Sequence, residues 1–179
     1  RVIFRGINVD YFNPKNISAL KQEKLKQEWG LSSSKFTILL PGRLTYWKGQ
    51  EKFIESLNIL IEDYNLTNFQ AVILGSDQGR KVYSKKLINL VQRYSLNKKV
   101  KFIQHCKEMP LAYSLADVVV STSVEPEAFG RVSVESQSMG KPIIASNIGG
   151  SKETVINKKT GFLYQYDDPR ELAEILNTV

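Results

Sequence analysis

Cysteine and histidine occur once each in the 179 residues, as Cys106 and His105. A single cysteine excludes an internal disulfide framework and fits a reducing compartment. A zinc site needs more ligands than these two, and a nucleophile needs an oriented base, so the pair is read as structural or incidental. His105 falls just after a strand-like run, where its backbone can still line a cleft. No apolar run approaches the roughly 20 residues that span a bilayer, and the part in view is expected to be soluble. Internal repeats, low-complexity tracts and flexible linkers are missing too. So is a Gly-x-Gly-x-x-Gly fingerprint: Leu74-Gly75-Ser76-Asp77-Gln78-Gly79 has another spacing, which argues against a dinucleotide-binding dehydrogenase and for a plain turn.

What is present suffices for one domain with its own core, since 42% of the 179 residues are hydrophobic. The chain starts at Arg1 rather than Met, and Arg1-Val2-Ile3-Phe4-Arg5-Gly6 already reads as a strand entering a turn, so a fragment of a longer protein is expected. Twenty-five basic against eighteen acidic residues give a net charge of +7, which favours phosphorylated ligands, anionic membrane surface or nucleic acid. Lys21, Lys24 and Lys26 fall on an expected surface helix, and Lys98, Lys99 and Lys101 follow a loop; both groups are read as solvated faces. No aromatic residues interleave with them as stacking platforms, so nucleic acid is not the expected partner.

Short apolar runs alternate with segments of helical spacing. Phe36–Leu40 precedes a helix from Gln50 to about Asp63, in which Phe53, Leu57, Leu60 and Ile61 share a face. Gln70–Leu74 precedes a helix from Val82 to Tyr94, and Val100–Ile103 a short one near Met109 to Leu115. Asp117–Ser121 leads to a helix from about Arg131 to Met139, and Pro142–Ala145 to one starting about Ser151. Gly161–Tyr164 reads as a last short strand, before a helix that Asp167-Asp168-Pro169 starts and that runs through Leu172 and Leu176. Strand and helix in strict alternation imply an α/β fold, a Rossmann-like parallel sheet with helices on both faces. Val118-Val119-Val120 suits a strand buried on both sides. Ligands of such sheets bind at the carboxyl ends of the strands, where the order reverses.

Three segments at strand ends carry chemistry. Gly42-Arg43-Leu44-Thr45-Tyr46-Trp47-Lys48-Gly49 puts two cations beside a helix start, an arrangement that suits a diphosphate but that, taken alone, reads sooner as a glycine turn with surface cations. Ser121-Thr122-Ser123 is followed by Glu127-Ala128-Phe129-Gly130-Arg131 and by Glu135. The two acids flank a glycine turn that opens a helix, where free N–H groups and the dipole favour a phosphate and the carboxylates accept from hydroxyls. A phosphate beside sugar hydroxyls describes a nucleotide sugar. The third, Gly140-Lys141-Pro142 running on to Gly149-Gly150 and Glu153, flanks the next strand.

These pieces, with Gly6-Ile7-Asn8-Val9-Asp10-Tyr11-Phe12-Asn13-Pro14, Ala116-Asp117-Val118 and Gly161-Phe162-Leu163, are spread in order over nearly the whole chain. Together they resemble the C-terminal, nucleotide-sugar-binding half of the GT-B retaining glycosyltransferases, specifically the large family four that includes sucrose synthases and many bacterial polysaccharide and lipopolysaccharide transferases. The resemblance implies a single nucleotide-sugar-binding domain over residues 1–179, with an N-terminal acceptor domain absent and the isolated fragment inactive. It places Gly42, Arg43 and Lys48 at the diphosphate of a UDP- or GDP-type donor, helped by the backbone around Phe129, Gly130 and Arg131. Glu135 is placed on the ribose hydroxyls and Glu127, as the catalytic residue, on the transferred sugar.

The implied enzyme moves a sugar to a saccharide or lipid-linked acceptor in cell-surface polysaccharide or lipopolysaccharide synthesis, needing neither metal nor cofactor because protein charge offsets the leaving diphosphate. Its expected place is the cytoplasm, with a peripheral contact at the inner face of the membrane where the acceptor is a lipid. Retention could make Glu127 a covalent nucleophile, as in retaining glycosidases. The family's same-face attack through an ion-pair-like state favours a positioning role instead. The competing expectation is a non-catalytic nucleotide-sugar-binding or regulatory module of the same fold. Departures from the family pattern are Gln104 in place of a glycine, Ala128 in place of a glycine, and Ser136 and Ser138 in place of alanines.

Overall fold

A computed structural model describes residues 5–179. Of the strand and turn expected over Arg1–Gly6, residues 1–4 lie outside the described residues, and Arg5 and Gly6 are in no strand or helix. The remaining elements run α1 (Ala19–Glu28), β1 (Phe36–Pro41), α2 (Gln50–Glu62), β2 (Phe69–Leu74), α3 (Lys81–Arg93), β3 (Val100–Ile103) and α4 (Met109–Ser114). They continue with β4 (Val118–Ser121), α5 (Arg131–Ser138), β5 (Ile143–Ser146), α6 (Ser151–Thr154), β6 (Gly161–Tyr164) and α7 (Pro169–Thr178). Every expected strand and helix inside this range is present, with ends shifted by a residue or two.

The six strands form one sheet in the order β3-β2-β1-β4-β5-β6, and every pairing is parallel. Successive side chains of a strand point to opposite faces, so a strand buried on both sides must be apolar at every position. Ile38, Leu40, Ile73, Val118, Val120 and Ile144 enter one core, which Phe53, Ile54, Leu57, Leu87, Leu172 and Leu176 of α2, α3 and α7 complete. Their neighbours Leu39, Val72, Val119, Ile143 and Ala145 enter the other, with Phe12, Trp29, Tyr113 and Met139. Among the described residues no helix is long and apolar enough to cross a membrane.

Helix ends follow local chemistry. Asp168 accepts from the N–H groups of Arg170 and Glu171, both at 3.0 Å, and Pro169 occupies the first turn, as the sequence leads one to expect. The lysines read as solvated are more varied than that: Lys21 pairs with Glu108, and Lys101 lies within β3. Lys99 donates to the Thr67 carbonyl and sits over the Phe69 ring, and burial, with the charge of Lys35, pulls its ammonium below the usual lysine range. Ser138, one of the departures from alanine, donates to the Phe12 carbonyl at 2.7 Å and so fastens the entry segment to α5.

The strand order reverses between β1 and β4, each of which carries a crossover to a different side. Loops leaving the carboxyl ends of two such strands diverge and leave a crevice between them. The β1–α2 and β4–α5 loops are the ones that carry the residues singled out from the sequence.

Candidate donor site

The β1–α2 loop turns at Gly42, passes through a short 3-10 turn at Tyr46–Lys48, and enters α2 at Gly49. Gly49 has φ 66°, and a Cβ there would lie 1.9 Å from the Thr122 carbonyl oxygen, so only glycine lets the two loops meet. They are then stitched together: Val124 N–H donates to the Trp47 carbonyl at 2.8 Å and the Thr122 hydroxyl to the Lys48 carbonyl at 2.9 Å. Gln50, fully buried, donates to the Arg43 carbonyl at 2.8 Å. The loop backbone is thus fixed while the Arg43 and Lys48 side chains stay at the crevice.

Glu127 stands on the facing loop. Lys48 Nζ lies 2.7 Å from its Oε1, and the buried hydroxyl of Ser123 donates to the same oxygen. No hydrogen bond to Glu127 Oε2 occurs among the described residues, so one oxygen is anchored and the other is available. The loop is backed by Gly149-Gly150 after β5. Gly150 N–H donates to the Glu127 carbonyl at 2.7 Å, and a Cβ on Gly149, at φ 58°, would come within 2.6 Å of Glu127 backbone atoms. Ala128 has no positive φ, so the methyl group in place of the family's glycine is accommodated.

Glu135 is set differently. It lies in the second turn of α5, which opens at Gly130 (φ 72°) without a side-chain cap. Only 5% exposed, it takes Tyr113 OH on Oε2 at 2.8 Å and Arg131 on Oε1, through Nε at 3.0 Å and Nη2 at 2.7 Å. Burial first, then the Glu135 charge, holds the Tyr113 phenol well above its usual range, so it remains a donor. Arg131 has 71% of its side chain exposed and is free to swing away. Beside it, a hollow of about 420 Å³ is lined by Gly6, Ile7, Asn8, Tyr11, Phe12 and Met109.

The structure thus brings Lys48 to Glu127 and Arg131 to Glu135, with Phe129 and Gly130 between the two pairs. Ser123 and Tyr113, the groups that orient the acids, escape a motif search. Ser123 carried a faint signal as one of three hydroxyl residues before the turn, and Tyr113 none, since its partner is 22 positions away. The Gly75–Gly79 turn lies against the β1–α2 loop, whose Leu44 N–H donates to the Ser76 carbonyl at 3.0 Å, and Gly79 N–H and Ser84 OH are both bonded to Asp77, which holds that carboxyl below the usual range. His105 is exposed. The Cys106 thiol is pushed up by burial, so it stays protonated.

A parallel sheet with cations and two oriented carboxylates at its switch point defines a class, the α/β domains that take ligands at the carboxyl ends of their strands. Comparison then gives the family. A sequence model described as "Glycosyl transferases group 1" matches residues 21–179, and the chain belongs to that family. A glycosyltransferase from Rickettsia africae ESF-5 superposes with a TM-score of 0.92 at 32% identity, over 97% of this chain and 45% of that one. Anabaena Alr3699/HepE, solved in complex with UDP-glucose, gives 0.89 at 32% identity, over 99% and 47%. The C-terminal domain of a group 1 family protein from Francisella tularensis gives 0.80 at 25% identity, covering 97% of this chain and 87% of that one. The chain spans about half the length of the curated relatives it matches, 48% in the case of spore coat protein SA of Bacillus subtilis (strain 168), at 30% identity. The expected kinship with the C-terminal domain of the GT-B glycosyltransferases is borne out.

Proposed function

We propose that this domain holds the nucleoside-diphosphate sugar of a retaining glycosyltransferase and that the rest of the protein presents the acceptor. The observation that carries this reading is the meeting of Lys48 and Glu127 from two loops at the strand ends, with Arg43 on the same Trp47 ring as Lys48 and a free oxygen on Glu127. Arg43 and Lys48 bind the diphosphate, with the uncapped start of α5 at Gly130 and Arg131 facing the same charge. Gly42 and Phe129 contribute backbone to the same site. Glu135 takes the ribose hydroxyls once Arg131 releases it. Glu127 holds a hydroxyl of the transferred sugar through Oε2.

In the reaction the bond from the anomeric carbon to the diphosphate oxygen breaks, and its electron pair leaves with the diphosphate. The acceptor hydroxyl attacks the same face, and its proton passes to the departing oxygen. Negative charge therefore grows where the two cations lie, so they bind the transition state more tightly than the ground state. Protein charge carries that load in place of a metal. Donor binding also competes for Lys48, which the diphosphate draws from Glu127.

The UDP-glucose complex of the Anabaena relative supports a UDP-type donor, with GDP sugars as the second choice. The acceptor we assign is a saccharide or lipid-linked sugar of a cell-surface polysaccharide or lipopolysaccharide, on the strength of the family resemblance. A lipid-linked acceptor calls for cytoplasmic enzyme in peripheral contact with the membrane. Saturation-transfer NMR with UDP-, GDP- and ADP-sugars tests the reading. Transfer to one donor, displaced by the matching nucleoside diphosphate, is expected; no transfer to any of them removes it.

A further inference from the structure

Trp47 has no part in the roles assigned so far, yet its indole ring touches both cations of the crevice. Lys48 Nζ lies 4.6 Å and Arg43 Cζ 5.6 Å from the ring centroid. Cations within about 6 Å of an aromatic face are attracted by its quadrupole, and tryptophan offers the strongest such face. The Arg43 side chain makes no ion pair or hydrogen bond among the described residues, which leaves the ring as the feature that orients it. Lys48 is gripped from two directions, by the ring and by Glu127 at 2.7 Å. The backbone that carries the ring is fixed, because the carbonyls of Trp47 and Lys48 are bonded to Val124 and Thr122 of the facing loop.

We propose that Trp47 is a positioning residue for the donor diphosphate, gathering Arg43 and Lys48 on one indole so that two cations converge on one anion. The inference rests on the donor reading above. A guanidinium and an ammonium brought together repel each other, and without an anion present something must offset that repulsion. Glu127 does so for Lys48 alone. The electron-rich ring does so for both, and so keeps the diphosphate site assembled before the donor arrives.

A second consequence is optical. A diphosphate that draws the two cations changes the field at the indole and hence its emission. The chain has two tryptophans, and the other, Trp29, is only 7% exposed, in the core on one side of the sheet.

The test titrates UDP into the 179-residue chain and its Trp47→Phe, Trp47→Leu and Arg43→Met/Lys48→Met variants, by calorimetry and by tryptophan emission. Trp47→Leu, which keeps apolar bulk and removes the π face, is expected to weaken UDP about three- to tenfold. Trp47→Phe, which keeps a face, stays within about twofold of the parent. The emission change on UDP addition, present in the parent, is lost in Trp47→Phe although calorimetry shows UDP bound. Parent-like affinity in Trp47→Leu overturns the inference, as does Trp47→Phe binding as weakly as Trp47→Leu or keeping the emission change. Should Trp47→Leu fail to fold, the phenylalanine variant decides through the emission change. Undiminished UDP binding by Arg43→Met/Lys48→Met instead overturns the donor reading beneath it, so the two failures are told apart.

Discussion

Glu127 and Glu135 are eight positions apart and chemically alike, yet the fold treats them in opposite ways. Glu127 sits on a loop, braced through one oxygen by Lys48 and Ser123, with its second oxygen open. Glu135 sits on a helix, nearly inaccessible, with both oxygens engaged by Tyr113 and Arg131. A group that must follow a changing charge benefits from one fixed and one free oxygen. A group that only has to recognise a hydroxyl can be rigid, provided one partner is exposed enough to leave, as Arg131 is. In the proposed donor site that difference would separate a group that acts in the reaction from one that holds the substrate.

The comparison breaks first at Glu127. Glu127→Gln in the full-length protein is expected to cut turnover on the order of 10²-fold or more, while donor affinity shifts by about threefold or less. Single-turnover transfer and equilibrium titration of the donor read the two quantities separately. Unchanged turnover would sink the assignment. At Glu135 the pattern inverts: Glu135→Ala is expected to weaken donor binding by about ten- to a hundredfold, the worth of hydrogen bonds to a charged group, with kcat largely kept at saturating donor. If both variants lose affinity alike, the two acids share one role and the comparison fails.

How much of this was legible beforehand depends on the range of the interaction. The triplet Val118-Val119-Val120 and the pair Asp168-Pro169 each satisfy a rule that acts within a few residues, and both elements are where that rule puts them. Glu127, Glu135 and the two cations stood out because they fall just after strands, and strand ends are where such sheets bind ligands. The braces were not legible. Lys48 meets Glu127 across 79 positions and Ser138 meets the Phe12 carbonyl across 126, distances over which no periodicity carries information. Tyr113 reads as one more core aromatic of a short helix until the fold turns its hydroxyl toward Glu135.

Those braces give smaller, sharper tests. Tyr113→Phe removes the only donor to Glu135 Oε2 among the described residues and leaves a buried carboxylate oxygen without a partner, at a cost of about 1–3 kcal/mol. Ser123→Ala removes one of two donors to a half-open carboxylate and costs about 0.5–1.5 kcal/mol, because Lys48 remains. Thermal unfolding resolves the two, at roughly 2–4 °C per kcal/mol for a chain of this size. Equal losses would mean that Glu127 is as rigidly held as Glu135.

The smallest expected effect is a pH dependence, and its sign follows from Tyr113. Burial and the neighbouring Glu135 raise its phenol well above the ordinary value of 10.0 that it regains on unfolding. Between those two values the unfolded chain has released the proton and the folded chain has kept it. The folded state then binds more protons, so stability falls as pH rises. The contribution is complete below pH 10 and drains away above it. Tyr64, Tyr83, Tyr164 and the Cys106 thiol are raised by burial as well, and Lys52 by its hydrogen bond to Asp167, so the parent's decline has several sources. Tyr113→Phe removes one of them and should make the decline shallower above pH 10, by denaturant titration at a series of pH values, even though it lowers stability at neutral pH. A slope unchanged by the substitution would mean that the hydroxyl faces water, and that Glu135 is not the closed carboxylate that sets it apart from Glu127.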